Sequence, residues 1–265
     1  MHVEITLEDR TVGLDLDYDP NFQADVNTRF MLEHHTACEP EVAHLMFRVL
    51  KEGDVAVDGG ANIGFFSLLM AALVGPTGRV LAFEPGENNL AKLRGNIALN
   101  KIDHVEVIEA ALWHRDDPAL HFHLCQDSGE NSVGKSDFAL SEVIVSGVKL
   151  SGYMRDRARK IKLIKLDVEG AEQHALEGAY MHLGWQVPYI VCELNEPALR
   201  RLLHSQTSLR KFMLNFGYEM FVLRADGSLP ALVPTGSAIE TAAANTNVLF
   251  STAKWVAQAW PVVQL

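Results

Sequence analysis

Val55-Ala-Val-Asp58-Gly-Gly60-Ala-Asn62-Ile-Gly64-Phe-Phe-Ser67 is the stretch around which the rest of the chain can be read. Val55 to Val57 are apolar and long enough for a short buried strand, which Asp58 ends. A glycine turn follows, and then an apolar, helix-capable segment from Phe65 to Leu73. Strand, tight turn and helix in that order open a βαβ unit. Glycine has no Cβ, so a ligand can approach the backbone of such a turn closely. The helix start adds N–H groups and a positive dipole end, which suit a carboxylate or phosphate. An open parallel sheet places its ligand here, beyond the carboxyl ends of its strands.

A second acid follows at a telling distance. Arg79 to Phe83 reads as another strand ending at Glu84, twenty residues after Gly64. A carboxylate there accepts both hydroxyls of a ribose. The order Asp58-x-Gly60-x-Asn62-x-Gly64 resembles the acid-x-Gly-x-Gly-x-Gly loop of class I S-adenosylmethionine-dependent methyltransferases, with Asn62 in the middle glycine's place.

Upstream, Val3, Ile5, Leu7, Val12, Leu14 and Leu16 alternate with polar residues on either side of Glu8-Asp9-Arg10, the period of a hairpin. Asn21 to Ala37 suits a helix or a lid, and His34 and His35 within it read as surface groups. Glu39-Pro40-Glu41 opens a helix. Downstream, a helix starts at Pro85-Gly86, and Val105 to Glu109 form a third strand. Leu120–Leu124 and Val143–Leu150 are added strands around a glycine-rich loop, Asp127 to Gly134. Ile161–Leu166, Tyr189–Glu193, Gly217–Leu223 and Asn247–Ser251 are the remaining core strands; single helices are expected over Ala171–Leu183 and Glu196–Phe216. This predicts an α/β sandwich of the class I methyltransferase, Rossmann-like kind. Its seven-stranded, mostly parallel sheet carries helices on both faces, with a hairpin and helix added at the N-terminus. The expected division is a hairpin and lid over 1–38, the main domain over 39–252 and a tail over 253–265, packed through Trp255 and Trp260.

The chain has 265 residues and a net charge of −11, which argues against nucleic acid or an anionic membrane as its main partner. The one dense basic run, Arg155 to Lys160, reads as a solvated helix end. Cys38, Cys125 and Cys192 are far apart and lack metal-ligand spacing, as expected of reduced thiols in the cytoplasm. Met1 to Arg10 has no signal-peptide pattern, and no run is long enough to span a membrane.

Lys165-Leu-Asp167-Val-Glu169-Gly-Ala-Glu172 closes the fourth core strand. Residues two apart share a face of an extended chain, so Lys165, Asp167 and Glu169 should point together until Gly170 turns the backbone. In a doubly wound sheet this strand neighbours the one ending at Asp58, and Glu193 ends the next one along. Three carboxylates converging on one crevice are costly unless they serve a ligand or a proton.

The ordered set of Asp58 to Gly64, Phe83-Glu84-Pro85, Asn96 to Asn100 and Lys165 to Glu172 resembles the FkbM family of methyltransferases, over roughly Glu39 to Glu193. That resemblance implies O-methylation of a hydroxyl on a small molecule such as a sugar, glycolipid or natural product. It also implies S-adenosylmethionine bound by Glu39, Asp58, Gly60, Ala61, Asn62, Gly64, Glu84, Pro85, Asn89, Glu109, Ala110 and Asp167. Catalysis falls to Asp167 as base or orienting group, with Glu169, Lys165 and Glu193 beside it. Asn131 and Ser132 are candidate substrate contacts. Clustered acids also suit Mg²⁺, though no metal is predicted. Two departures stand out: Leu150-Ser151 where the family often has Leu-Asp, and Asn195 where a histidine often follows the glutamate. A nicotinamide oxidoreductase on a similar sheet, or a binding protein that keeps the fold without turnover, are the alternative readings. His121 and His123 read as one exposed strand face, and His174, His182 and His204 as helix surface. Trp185, Phe65 and Phe66 read as core, and Trp113 as core or adenine-stacking.

Overall fold

The alternating N-terminal pattern forms an antiparallel hairpin, β1 (His2–Leu7) and β2 (Arg10–Asp15), paired from His2↔Asp15 to Leu7↔Arg10. Glu8 and Asp9 between them both have positive φ, 52° and 60°, the two-residue geometry that matches strand twist. The computed structural model describes residues 1–34, 37–154, 161–184, 186–237, 239 and 246–261. His35, Trp185 and the basic run Arg155–Lys160 lie outside the described residues.

After the hairpin come α1 (Gln23–His34), α2 (Pro40–Val49), β3 (Val55–Gly59), α3 (Phe65–Val74), β4 (Arg79–Phe83), α4 (Glu87–Leu99), β5 (Val105–Ile108) and β6 (Ala111–Leu112). Then follow β7 (Asp117–Cys125), β8 (Ala139–Val148), β9 (Ile161–Leu166), α5 (Glu172–Glu177), β10 (Tyr189–Leu194), α6 (Glu196–Arg201) and α7 (Gln206–Leu214). The chain closes with β11 (Glu219–Val222), β12 (Ala231–Leu232), β13 (Thr246–Ser251) and α8 (Ala253–Ala259).

The main sheet runs β12-β11-β13-β10-β9-β3-β4-β5. β5, β4, β3, β9 and β10 are mutually parallel, and β13 runs antiparallel between β10 and β11. The expected seven strands are joined by an eighth, the two-residue β12 on the edge of β11. The two added strands are β7 and β8, which pair with β6 in a separate three-stranded sheet. Order reverses between β3 and β9, so a crevice opens beyond their carboxyl ends.

One face of the sheet is covered by α2, α3, α8 and the hairpin, whose apolar residues form a single core from Ile5 through Leu69 to Trp260. Arg10 fastens the hairpin to this layer by donating to the carbonyls of Phe47 and Leu50, at 2.9 and 3.0 Å. On the other face α5 and α7 pack over β9, β10 and β13. Asn96 and Asn100, part of the sequence resemblance, serve this scaffold. The Asn96 amide donates to the Ile63 carbonyl and accepts from the Asp17 N–H, both at 2.8 Å, and Asn100 holds Asp15.

Two helices are shorter than their sequence suggests. The expected helix Glu196–Phe216 breaks after Arg201: Leu203 takes φ 62°, and Ser205 starts α7 through a reciprocal bond with Ser208. The helix after β9 stops at Glu177 and continues as a single 3-10 turn, Tyr180–His182. At Gly178 a Cβ would lie 2.3 Å from the Trp113 carbonyl oxygen, so the chain passes too close there for an ordinary side chain.

Three histidines are also less exposed than expected. His123 is buried, with its strand bridged to Ser132. His174 packs against Trp113 on one side and His204 on another, and burial lowers both histidines, His174 to about 4. Trp113 therefore packs at a tilt against the His114 and His174 imidazoles and is not among the residues that line the crevice.

Candidate active site

The glycine turn after β3 is built mainly to hold other parts of the protein. Gly60, at φ +79°, lies so close to the β9 end that a Cβ would sit 1.8 Å from the Asp167 carbonyl oxygen. Gly64, at φ +94°, leaves room for Leu93 of α4. The N–H groups of Gly60 and Ala61 both bond to the Phe83 carbonyl at 3.0 Å, and that of Gly64 bonds to Ala61. The expected row of free donors is thus largely spent inside the turn. Asp58 is fully buried behind the cavity wall and accepts the Ser67 hydroxyl at 2.6 Å; burial raises its pKa.

What the turn presents to the crevice is a ring of acceptors. Glu84 is buried, with one oxygen bonded to the Asn62 N–H at 2.8 Å and the other to the Gly86 N–H at 2.8 Å and the Asn89 amide at 3.4 Å. Burial pushes it up to about 7. The Oδ1 atoms of Asn62 and Asn89, beside it on the wall, are buried without a partner. Two oxygens beside the Glu84 carboxyl therefore await donors, and a ligand rich in hydroxyl and amino groups supplies them.

These residues line one end of a cavity of about 330 Å³, within the size range of small-molecule sites. Gly60, Pro85 and Ala110 share that end. Asp167, Glu169 and Glu193 line the cavity as well. The roof comes from Ala24, Asn27 and Thr28 of α1 and from the loop Asp127–Asn131. Asn27 donates to Asp127 across the roof at 2.7 Å.

The predicted carboxylates do converge. One oxygen each from Asp167, Glu169 and Glu193 lies within 4.8 Å of the other two. Strand alternation alone does not achieve this: β9 ends at Leu166, and Glu169 is turned back by a left-handed conformation, φ 50°. Glu172 makes that turn possible by accepting the N–H groups of Val168 and Gly170, both at 3.2 Å. Burial, reinforced by Asp167, pushes Glu169 up to about 8 and Glu193 up to about 10. Burial and the neighbouring Asp167 thus favour the protonated, hydrogen-bond-donating form of both acids.

Asp167 differs from them by its partner. The buried Lys165 ammonium sits 3.0 Å from Asp167 Oδ2 and 4.6 Å from the centre of the Phe66 ring. Burial alone would favour its neutral form, but the Asp167, Glu39 and Asp58 carboxylates together hold it above the usual lysine range. Lys165 and Glu39 line a smaller adjoining cavity with Ala61 and Phe66. Burial pushes Glu39 up to about 7, and Asn247 donates to it at 2.9 Å.

Other predicted residues fall elsewhere. Glu109 is exposed and ion-paired with Arg94 at 2.8 Å, beside a different groove. Ser132 is buried off the cavity wall and donates to the Glu169 carbonyl at 2.7 Å, so it supports the acid turn. Asn131 lines the cavity, with its oxygen bonded to the Cys125 N–H at 2.8 Å. Asn195 caps α6 through the Ala198 N–H. Sequence reasoning marked the segments that form the roof but not Asn27, Asp127 or Ser128; in Asp127-Ser-Gly, the short polar side chains before a glycine were the available signal.

A mostly parallel sheet with β13 and the short edge strand β12 reversed, an acceptor-lined pocket beyond β3 and β4, and acids beyond β9 and β10 define a class I methyltransferase architecture. The Methyltransferase FkbM domain family matches residues 58–220. That is more than half of the 265 residues, and the chain belongs to this family. The 31-O-demethyl-FK506 methyltransferase FkbM of Streptomyces tacrolimicus is 32% identical over 158 residues, 49% of this chain and 60% of that protein. Methyltransferase 1 of Beauveria bassiana is 28% identical over 143 residues, 46% of this chain and 57% of that protein. The chain thus spans less than two thirds of the length of either relative. Among solved structures, the FkbM methyltransferase of Methylobacillus flagellatus is 16% identical and overlays with a TM-score of 0.49, covering 88% of this chain and 56% of that one.

Proposed function

We propose that the protein is an S-adenosylmethionine-dependent O-methyltransferase acting on a hydroxyl of a small molecule. The observation that carries this reading is the asymmetry of the cavity wall. Around Glu84 there are acceptors short of donors; around Asp167 there are two buried acids whose surroundings favour their protonated form, and Asp167 itself is ion-paired with lysine. The nucleoside part of the cofactor fits the first group, with its ribose hydroxyls on Glu84 and its other donors on Asn62 and Asn89. Bound there, the cofactor would supply an electrophilic methyl group on its sulfonium.

The chain's own residues do the rest. Asp167 accepts the proton of the acceptor hydroxyl. Lys165 fixes the Asp167 carboxylate in position and balances the charge of the buried acids. Glu169 and Glu193, as protonated acids, donate hydrogen bonds to oxygen atoms of the acceptor and orient it. Positioning of two reactants in this way supplies several kcal/mol, and a placed base adds about 10²- to 10⁴-fold. The three acids are also an oxygen-donor set of the kind Mg²⁺ uses. Their burial favours shared protons over a stripped, charged cluster. The name of the S. tacrolimicus relative specifies an O-demethyl acceptor, which supports methylation at oxygen.

The test is calorimetric titration of S-adenosylmethionine and S-adenosylhomocysteine into wild type and Glu84→Ala. Micromolar binding that Glu84→Ala weakens tenfold or more, about 1.4 kcal/mol, supports the reading. No binding by folded wild type, or tighter binding of NADPH, overturns it. Screening of hydroxylated acceptors then identifies the substrate class.

A further inference from the structure

A second polar cluster lies outside the cavity, where the end of β6 meets α5. His114 follows β6, His174 and Glu177 face it from α5, and His204 comes from the turn between α6 and α7. The His174 ring centre is 4.9 Å from that of His114, 4.4 Å from that of His204 and 4.1 Å from that of Trp113. One ligand-capable atom each from His114, His174 and Glu177 lies within 4.8 Å of the other two. His174 Nδ1 is 3.3 Å from Glu177 Oε2. Two ligands on one tetrahedral zinc ion, each about 2.0–2.1 Å from it, sit about 3.3 Å apart.

The hydrogen bonding supports the same assignment. His114 Nδ1 is buried and has no partner. His174 Nε2 faces His204 Nε2 at 3.2 Å, so one of the two must carry a proton. If Nδ1 of His174 binds a metal, its proton stands on Nε2 and is donated to His204. A histidine ligand commonly gives its second N–H to a fixed acceptor, which sets ring and tautomer. Ligation through His114 Nδ1 puts that ring's proton on Nε2. The exposed Arg115, now 3.0 Å from that nitrogen, would release it and keep its 3.0 Å bond to Asp117.

We propose that His114, His174 and Glu177 form a three-ligand site for a divalent transition metal of the zinc class, with His204 as the outer partner of His174. Such an ion would clamp β6, whose Ala111 and Leu112 line the main cavity, to α5, which follows the Asp167–Gly170 turn. The site is independent of the methyl-transfer reading and needs no change in oxidation state.

The experiment is titration of Zn²⁺ into chelator-stripped protein by calorimetry, with Co²⁺ absorption as a second readout. One equivalent of Zn²⁺ and the visible bands of four-coordinate Co²⁺ are expected. Binding should weaken by about 100-fold or more in His174→Ala, and by about 10- to 100-fold in His204→Asn, which touches only the outer shell. Glu177→Gln keeps the side-chain shape and should also lose affinity; thermal melting of each metal-free variant shows that it is folded. Excess Mg²⁺ should leave the signal unchanged, because imidazole ligands select zinc and all-oxygen sites select magnesium. Absence of binding to wild type, equal binding by wild type and Glu177→Gln, or displacement by Mg²⁺ would each overturn the site. The second result makes the cluster packing alone, and the third moves the ion to the cavity acids.

Discussion

Glu193→Gln tests the proton inventory of the cavity. Burial, with Asp167, Glu169 and Glu39 nearby, moves Glu193 from 4.5 up to about 10. Between those two values the folded chain holds a proton that the unfolded chain has released. Stability must therefore fall as pH rises through that window, by about 1.4 kcal/mol per pH unit for one full proton. Glutamine has no such proton, yet still offers an N–H donor where the acid offers O–H. Some of the proton is shared with the neighbouring acids, so the advantage of Glu193→Gln over wild type should grow by about 1–3 kcal/mol between pH 6 and pH 8. Urea denaturation of both proteins at pH 6, 7 and 8 reads this directly, as a widening gap in midpoint at unchanged slope. Parallel stability curves, or a variant that loses stability with pH as fast as wild type, would show that Glu193 is ionised and that its donor role is wrong.

Asp167→Asn should lower turnover by about 10²-fold or more while leaving S-adenosylhomocysteine affinity within a few-fold, measured by calorimetry beside steady-state rates. Unchanged turnover would remove Asp167 as the base. Gly60→Ala should fail to fold or lose several kcal/mol, because its Cβ would meet the Asp167 carbonyl oxygen at 1.8 Å on a left-handed backbone; a thermal melt checks this. Glu172→Ala strips the acceptor from the half-buried Val168 N–H and the buried Gly170 N–H and should cost about 2–4 kcal/mol, and Glu172→Gln less, by chemical denaturation.

The scaffold was legible where a pattern is local. The hairpin, the βαβ spacing and the strand-ending acids Glu84, Asp167 and Glu193 are all set by period and position along the chain. The acid cluster could be anticipated because adjacent parallel strands end on one edge. What was hidden depends on distance in sequence. Asn27 and Asp127 meet across 100 residues, and the imidazoles at 114, 174 and 204 come from three unrelated segments. No periodicity joins them, so His174 and His204 read singly as surface and nothing marked His114. The break between α6 and α7 was masked by apolar Leu202 and Leu203, although Ser205-x-x-Ser208 carried the start signal. The glycines misled in a different way: their lack of Cβ serves the approach of Asp167 and Leu93, not only of a ligand.

The Asn27–Asp127 contact has a kinetic consequence. α1 is moored to α4 by Lys92, which holds the buried Asp25 at 2.8 Å, so the helix stays attached while its far side spans the cavity. Across the roof itself, among the described residues, an exposed amide–carboxylate bond joins the two halves. Breaking a bond of about 1 kcal/mol shifts such an equilibrium only about fivefold, so this contact by itself holds the halves together weakly. Entry and exit are then governed by a latch of low strength, and a molecule touching both halves would lengthen its own residence by holding that latch shut.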